Sequence, residues 1–202
     1  RDDVESRGLG DVYKRQADYL EMEKRMFDVI DRDEMKTVVE LIMETYEAEG
    51  TIYVFGNGGS ASTASHMAND FNKGISEFVD KKFRFCCLND NVATMLSIAN
   101  DISYEEIYRF QLRGKLQPND LVIGISGSGN SANVLNAVSY AKEQGVKTVG
   151  FCGFSGGKLK DMADYKFYVP LDSMKVVEDL HLMMNHLIMY VAERKLGIEG
   201  CC

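Results

Sequence analysis

No apolar run in this chain approaches the roughly 20 residues that a bilayer crossing needs, and no basic-then-apolar segment of the secretory kind opens it. Basic charge is scarce too. Against 31 Asp and Glu stand 23 Lys and Arg, a net charge of −8, and the cations nowhere gather into a stripe. That argues against a nucleic-acid surface, which needs a clustered basic face. The five cysteines, Cys86, Cys87, Cys152, Cys201 and Cys202, lack the paired spacing of a zinc module. The first three fall in or beside apolar strand candidates, where free cysteine packs as a small apolar residue. A reducing cytoplasm is therefore the expected location, with neither a membrane nor a nucleic acid as partner. An internal repeat, a low-complexity tract and an interdomain linker are also missing.

What is present is an alternation of short apolar runs and amphipathic stretches over 202 residues, a length suited to one α/β domain. Leu20, Met26, Phe27 and Ile30 fall at helical spacing within Ala17 to Asp31, and Met35, Val38, Val39, Ile42, Met43 and Tyr46 continue a second helix to Gly50. An apolar face there suits packing against another subunit. Five strands are expected at 51–55, 83–88, 121–125, 147–151 and 166–169. Helices are expected near 61–72, 91–98, 104–112, 131–144 and 158–162, and a long one over 175–195. This order implies a single doubly wound, flavodoxin-like domain over 17–197, with a five-stranded parallel sheet, two N-terminal helices and a long C-terminal helix. Residues 1–16 carry no periodicity and resemble translated sequencing adaptor, so they are expected to be disordered and outside the native fold. Residues 198–202 form a short tail.

Two loops carry the chemistry. Gly56-Asn57-Gly58-Gly59-Ser60 follows the first strand, and Ser126-Gly127-Ser128-Gly129-Asn130-Ser131 follows the third. Right-handed crossovers bring such loops together at the carboxyl edge of a parallel sheet. Hydroxyls and helix N–H groups there can hold an anion, and glycine lets the backbone approach it closely. The second loop has no lysine and so is not a nucleotide-hydrolysing P-loop, and the dinucleotide glycine pattern is missing. A small phosphorylated molecule is the expected ligand, and no nucleotide cofactor is.

Only three histidines occur: His66, His181 and His186. His66 and Asp70 are spaced i, i+4 and share a helix face. Glu178 and His186 are spaced i, i+8 on the last helix. Two helices that each present a carboxylate and an imidazole can hold a divalent metal, zinc above all. His181 reads better as a packed core residue, and Met183, Met184 and Met189 as core or interface.

The two loops and the histidine-bearing last helix resemble the sugar isomerase (SIS) domain, and within it the bacterial phosphoheptose isomerases. The resemblance runs from about Ala17 to Gly197. It implies an aldose–ketose isomerase acting on sedoheptulose 7-phosphate through an ene-diol, with one divalent metal and a homodimeric or homotetrameric assembly. Residue by residue, it makes His66 a metal contact and His186 a ligand and acid–base group. Asn57, Gly58, Ser60, Asp101, Ser126, Ser128, Asn130 and Ser131 become substrate contacts. Asp70 falls where the family carries a catalytic glutamate, and Glu178 where it carries a glutamine, both as metal ligands here. The shorter Asp70 withdraws its carboxylate by on the order of 1.5 Å, and Glu178 adds a negative charge. The competing expectation is a non-catalytic SIS module that binds a phosphosugar or a protein such as the replication initiator.

Overall fold

Each of the five apolar runs becomes a strand of one parallel sheet. The computed structural model describes residues 2–198, with side chains from residue 12 onward. Arg1 and the tail beyond Ile198, with Cys201 and Cys202, lie outside the described residues. The chain runs α1 (Asp2–Val29), α2 (Arg32–Glu47), β1 (Ile52–Gly56), α3 (Gly59–Asn69), β2 (Phe85–Cys87), α4 (Val92–Asp101), α5 (Arg109–Leu112) and β3 (Leu121–Ser126). It continues with α6 (Ala132–Glu143), β4 (Lys147–Cys152), α7 (Leu159–Met162), β5 (Tyr165–Tyr168) and α8 (Met174–Lys195).

The strand order is β2-β1-β3-β4-β5. Ile52 pairs with both Phe85 and Leu121, so β1 and β3 lie side by side while the chain winds outward from them in opposite directions. That junction is the switch point of a doubly wound sheet, where the strand-to-helix loops diverge and leave a crevice. The two serine-glycine loops follow β1 and β3, so topology alone places them at that crevice.

Alternate residues of each strand feed two cores. Ile52, Val54, Ile123, Ile125 and Phe151 face Val38, Ile42, Met67, Leu180 and Met184 beneath α2, α3 and α8. Tyr53, Phe55 and Val122 face Ile98, Tyr108, Leu112, Val134 and Val138 beneath α4, α5 and α6. Covered on both sides, β1 and β3 are buried along their whole length, which is why they read as continuous apolar runs rather than as alternations.

Three expectations about local structure need correction. Residues before Ala17 lack helical periodicity, yet α1 begins at Asp2. Residues 12–18 are all exposed, so this stretch is helical without burying a face. Its Lys14, Arg15, Gln16 and Ala17 are good helix formers in their own right. The helix expected to end at Asn72 gives up α geometry at Asn69, widens to a π turn over Asp70–Gly74 and tightens to a 3₁₀ turn over Ile75–Phe78. Two side-chain anchors accompany the widening. Asp70 receives Asn185 Nδ2 at 2.7 Å from α8, and Asn72 exchanges bonds of 2.8 and 2.9 Å with the backbone of Phe85. Finally, 104–112 is a 3₁₀ turn over Tyr104–Glu106 and a separate α5. The break lets Tyr104 and Tyr108 aim their hydroxyls at the first loop.

His181 belongs to the core. It is 1% exposed, lies between Phe151 and Phe167, and meets Cys152 O through Nε2 at 3.4 Å, while its Nδ1 has no partner among the described residues. Burial drives its pKa down from 6.5 to about 4, against a smaller upward pull from the Cys152 carbonyl. The unfolded chain therefore takes up this proton near pH 6.5 and the folded one only near 4. Stability is full above the unfolded value and is lost as pH falls through that window. Between pH 7.5 and 5.0 the loss from this group is about 2 kcal/mol. Urea unfolding of wild type and His181→Gln at both pH values checks it: the wild type should lose about that much more, and equal losses would refute the assignment.

Candidate active site

The first loop leaves β1 at Gly56 and turns through Gly58, whose φ of +55° is open to glycine at little cost, into the start of α3 at Gly59. The second leaves β3 at Ser126 and closes with Gly129 N donating to Ser126 O at 2.9 Å. Gly129 has φ +66°, and a Cβ there would lie 1.9 Å from Gly156 O, so no other residue fits. Ser131 caps α6 without bonding the helix through its side chain; its hydroxyl meets that of Ser126 at 3.1 Å instead.

Between the loops lies a cleft of about 260 Å³ lined by Asn57, Gly58, Gly59, Ser60, Ser126, Gly127, Ser128, Ser131, Met174 and Glu178. Six of the eight expected substrate contacts therefore share one wall. The other two stand apart. Asn130 is exposed and folds back on its own loop, donating to Ser128 O at 3.1 Å and accepting from Lys158 N at 3.2 Å. Asp101 ends α4, exposed, with its carboxylate accepting from Asn100 Nδ2 at 2.8 Å.

Asn57 is braced more than it is free. It exchanges reciprocal amide bonds of 2.9 Å with Asn133, and its Oδ1 also accepts the hydroxyls of Tyr104 at 3.0 Å and Tyr108 at 3.1 Å. Asn89 clamps the preceding residue, accepting from Gly56 N at 3.2 Å and donating to Gly56 O at 2.9 Å. Because Asn133 stands on α6, the Asn57–Asn133 pair ties one loop to the helix that follows the other. The sequence reading missed Asn89, Tyr104, Tyr108 and Asn133. The sequence carried no signal for them: the burial of Asn133, which demands a partner for its amide, is visible only in the structure.

The second feature lies further along α3. His66 Nε2 is 3.2 Å from Asp70 Oδ2, His186 Nε2 is 3.3 Å from His66 Nε2, and His186 Nε2 is 3.9 Å from Asp70 Oδ2. Asp70 is nearly buried while both imidazoles stand about half exposed. The three ligand atoms lie within 4.8 Å of one another. Ligands at 2.0–2.1 Å around a tetrahedral ion sit about 3.3 Å apart, so two of the three edges already have the right length and the third is slightly wide. Asn185, also unforeseen, is buried on α8 and orients Asp70 through its Nδ2 while its own Oδ1 lacks a partner among the described residues.

Of the four expected metal ligands, the structure gathers His66, Asp70 and His186 and leaves Glu178 elsewhere. Eight residues before His186 on α8, the Glu178 carboxylate lies against Gly59, in the wall of the serine cleft. The result is a hydroxyl-lined, glycine-walled cleft at the N-terminal end of α3 and an imidazole–carboxylate cluster two turns further along it. Such a pair can fix an anion at one end of a ligand and move a proton at the other.

A family model described as a SIS domain matches residues 18–153. A phosphoheptose isomerase from Helicobacter pylori is 38% identical over 163 residues, covering 81% of this chain and 84% of that protein. The solved structure of a phosphoheptose isomerase from Neisseria gonorrhoeae superposes with a TM-score of 0.83 at 24% identity, over 92% of this chain and 98% of that one. That of Francisella tularensis gives 0.83 at 21% identity, over 93% and 98%. At those identities the two structures speak for the fold alone. Among the described residues no helix is long and apolar enough to cross a membrane.

Proposed function

We infer the activity from a premise that the comparisons supply: this chain belongs to the SIS domain family. It is an aldose–ketose isomerase of the phosphoheptose isomerase type, interconverting sedoheptulose 7-phosphate and a heptose 7-phosphate. The observation that carries this reading is the placement of the serine cleft and the His66–Asp70–His186 cluster along one helix, Gly59 and His66 being about 10 Å apart on its axis. An extended sugar phosphate spans that length.

In this mechanism the hydroxyls of Ser126, Ser128 and Ser131 and the N-terminal end of α6 hold the phosphate. The Asn57–Asn133 brace keeps the two loops in register, so little ordering remains when the ligand enters. At the far end the Asp70 carboxylate, aimed by Asn185, accepts the proton from the hydroxyl-bearing carbon beside the carbonyl. The electron pair of the broken C–H bond forms the C=C of the ene-diol, and the carbonyl oxygen takes a proton from His186. Asp70 then returns its proton to the former carbonyl carbon while the other ene-diol hydroxyl gives its proton to His186 and becomes the new carbonyl, which completes the exchange.

His66, Asp70 and His186 fit a divalent cation, zinc in preference, as judged by their tetrahedral spacing. When bound there, such an ion would polarise the carbonyl oxygen in place of a proton on His186 Nε2, since a ligating nitrogen carries none. The half-exposed imidazoles and the apolar side chains left exposed at Leu20, Phe27 and Tyr190 support a homodimer or homotetramer. The described free cysteines Cys86, Cys87 and Cys152 support a cytoplasmic setting.

The test is direct. Purified protein with sedoheptulose 7-phosphate in D2O, followed by NMR with and without added zinc, should yield the aldose and wash deuterium into the carbon-bound position. Absence of both signals under both conditions refutes the isomerase reading.

A further inference from the structure

The cleft between the serine loops contains one charged side chain, and its sign opposes a phosphate. Among the described residues no Lys or Arg lines the cleft, and Glu178 is the sole ionisable group in its wall. Its carboxylate is pressed against the first residue of α3. A Cβ on Gly59 would lie 2.5 Å from Oε1 and 2.6 Å from Oε2, so the absent side chain of Gly59 is what lets the carboxylate rest there. The N-terminal end of α3 draws negative charge, and here a built-in carboxylate already meets that demand. No donor on any described side chain bonds the Glu178 oxygens. The same cleft is lined by Ser126 and Ser131, whose hydroxyls are bonded to each other, and by Ser128.

A phosphate dianion entering this cleft meets the serine donors and a like charge together. Its attraction to the loop is reduced by that repulsion, which a partly enclosed cleft screens poorly. A phosphate that arrives attached to a polyhydroxy chain differs in one respect: its hydroxyls can donate to the vacant carboxylate oxygens. Hydrogen bonds to a charged acceptor are about twice as strong as neutral ones and offset the repulsion. Discrimination of this kind needs a repulsive element as well as an attractive one.

We propose that Glu178 is the specificity-determining residue of the cleft, a fixed anion that rejects bare phosphate and admits phosphate esters whose neighbouring hydroxyls satisfy it. The inference rests on the isomerase reading for the class of ligand, a sugar phosphate, and adds the exclusion of inorganic phosphate.

Calorimetric titration of the full chain with inorganic phosphate and, separately, with sedoheptulose 7-phosphate tests it in wild type, Glu178→Gln, Glu178→Ala and Ser128→Ala. Glu178→Gln should bind inorganic phosphate on the order of tenfold tighter and the sugar phosphate by a smaller factor, so that the ratio of the two dissociation constants falls. Glu178→Ala should keep the gain for inorganic phosphate and bind the sugar phosphate more weakly than Glu178→Gln does. An unchanged or larger ratio in both Glu178 variants, with Ser128→Ala weakening both ligands, overturns the role of Glu178 and leaves the isomerase reading intact. If Ser128→Ala changes neither ligand's affinity, or the sugar phosphate binds no form of the protein, the isomerase reading falls and this inference with it.

Discussion

His186→Ala is expected to lower kcat for sedoheptulose 7-phosphate by about 10³-fold while KM changes by less than about threefold, because positioned acid–base groups contribute 10²–10⁴ in rate. The split follows from geometry. His186 stands beside His66 and Asp70, and it is absent from the wall of the cleft where the serines would hold the phosphate. In the proposed mechanism its removal deletes the proton donor to the carbonyl oxygen or, with an ion bound, one of three ligand atoms, and leaves the anchoring end untouched. Half exposed on α8, it can be truncated without opening a cavity in the core, so the melting temperature should stay within a few degrees of wild type. Initial rates across a range of substrate concentrations give the answer. A variant that retains a tenth or more of wild-type kcat would take His186 out of the proton path.

The fold was legible because its signals are local. Short apolar runs such as Leu121-Val122-Ile123-Gly124-Ile125, bounded by Pro118-Asn119-Asp120 and by Ser126-Gly127, fit strands buried on both faces, and all five expected strands are present within two residues of the expected ends. The meeting of the two loops was legible as well, since it follows from the handedness of parallel crossovers rather than from any side chain. His66 and Asp70 share a turn, so their contact was readable from spacing. What escaped is non-local. Asn57 looked like a ligand contact, but its partners Tyr104 and Asn133 lie 47 and 76 residues away. Nothing in the spacing of Glu178 and His186 says that one carboxylate turns toward Gly59 while the imidazole eight residues on turns toward His66. The π turn at Asp70 depends on anchors from α8 and β2, and no pattern within 70–74 announces it.

Asp70→Asn should be the most damaging single change, lowering kcat by about 10³–10⁴-fold, the upper part of the range for a positioned base. The substitution keeps the shape and removes the charge. It also weakens the bonds that the carboxylate accepts. Asp70 Oδ2 now accepts from Asn185 Nδ2 at 2.7 Å and lies 3.2 Å from His66 Nε2. Both contacts fall on one oxygen, so an amide carbonyl in that place keeps them as neutral bonds while its NH₂ takes the position of Oδ1. A hydrogen bond to a charged group contributes about 1.5–3 kcal/mol and a neutral one about 0.5–1.5, so stability should fall by about 1 kcal/mol, read by urea unfolding at pH 7.5. Zinc affinity, titrated against a competing chelator, should fall at least about tenfold, since a neutral amide is a far poorer ligand than a carboxylate. Asp70→Glu separates charge from reach. It restores the carboxylate on a side chain about 1.5 Å longer and should recover zinc binding more fully than turnover, because an ion can shift with its ligands whereas a proton must be met at one carbon. If Asp70→Asn keeps near-normal turnover, the base is another group, and the short bond between Asn185 and Asp70 serves only to hold α3 against α8.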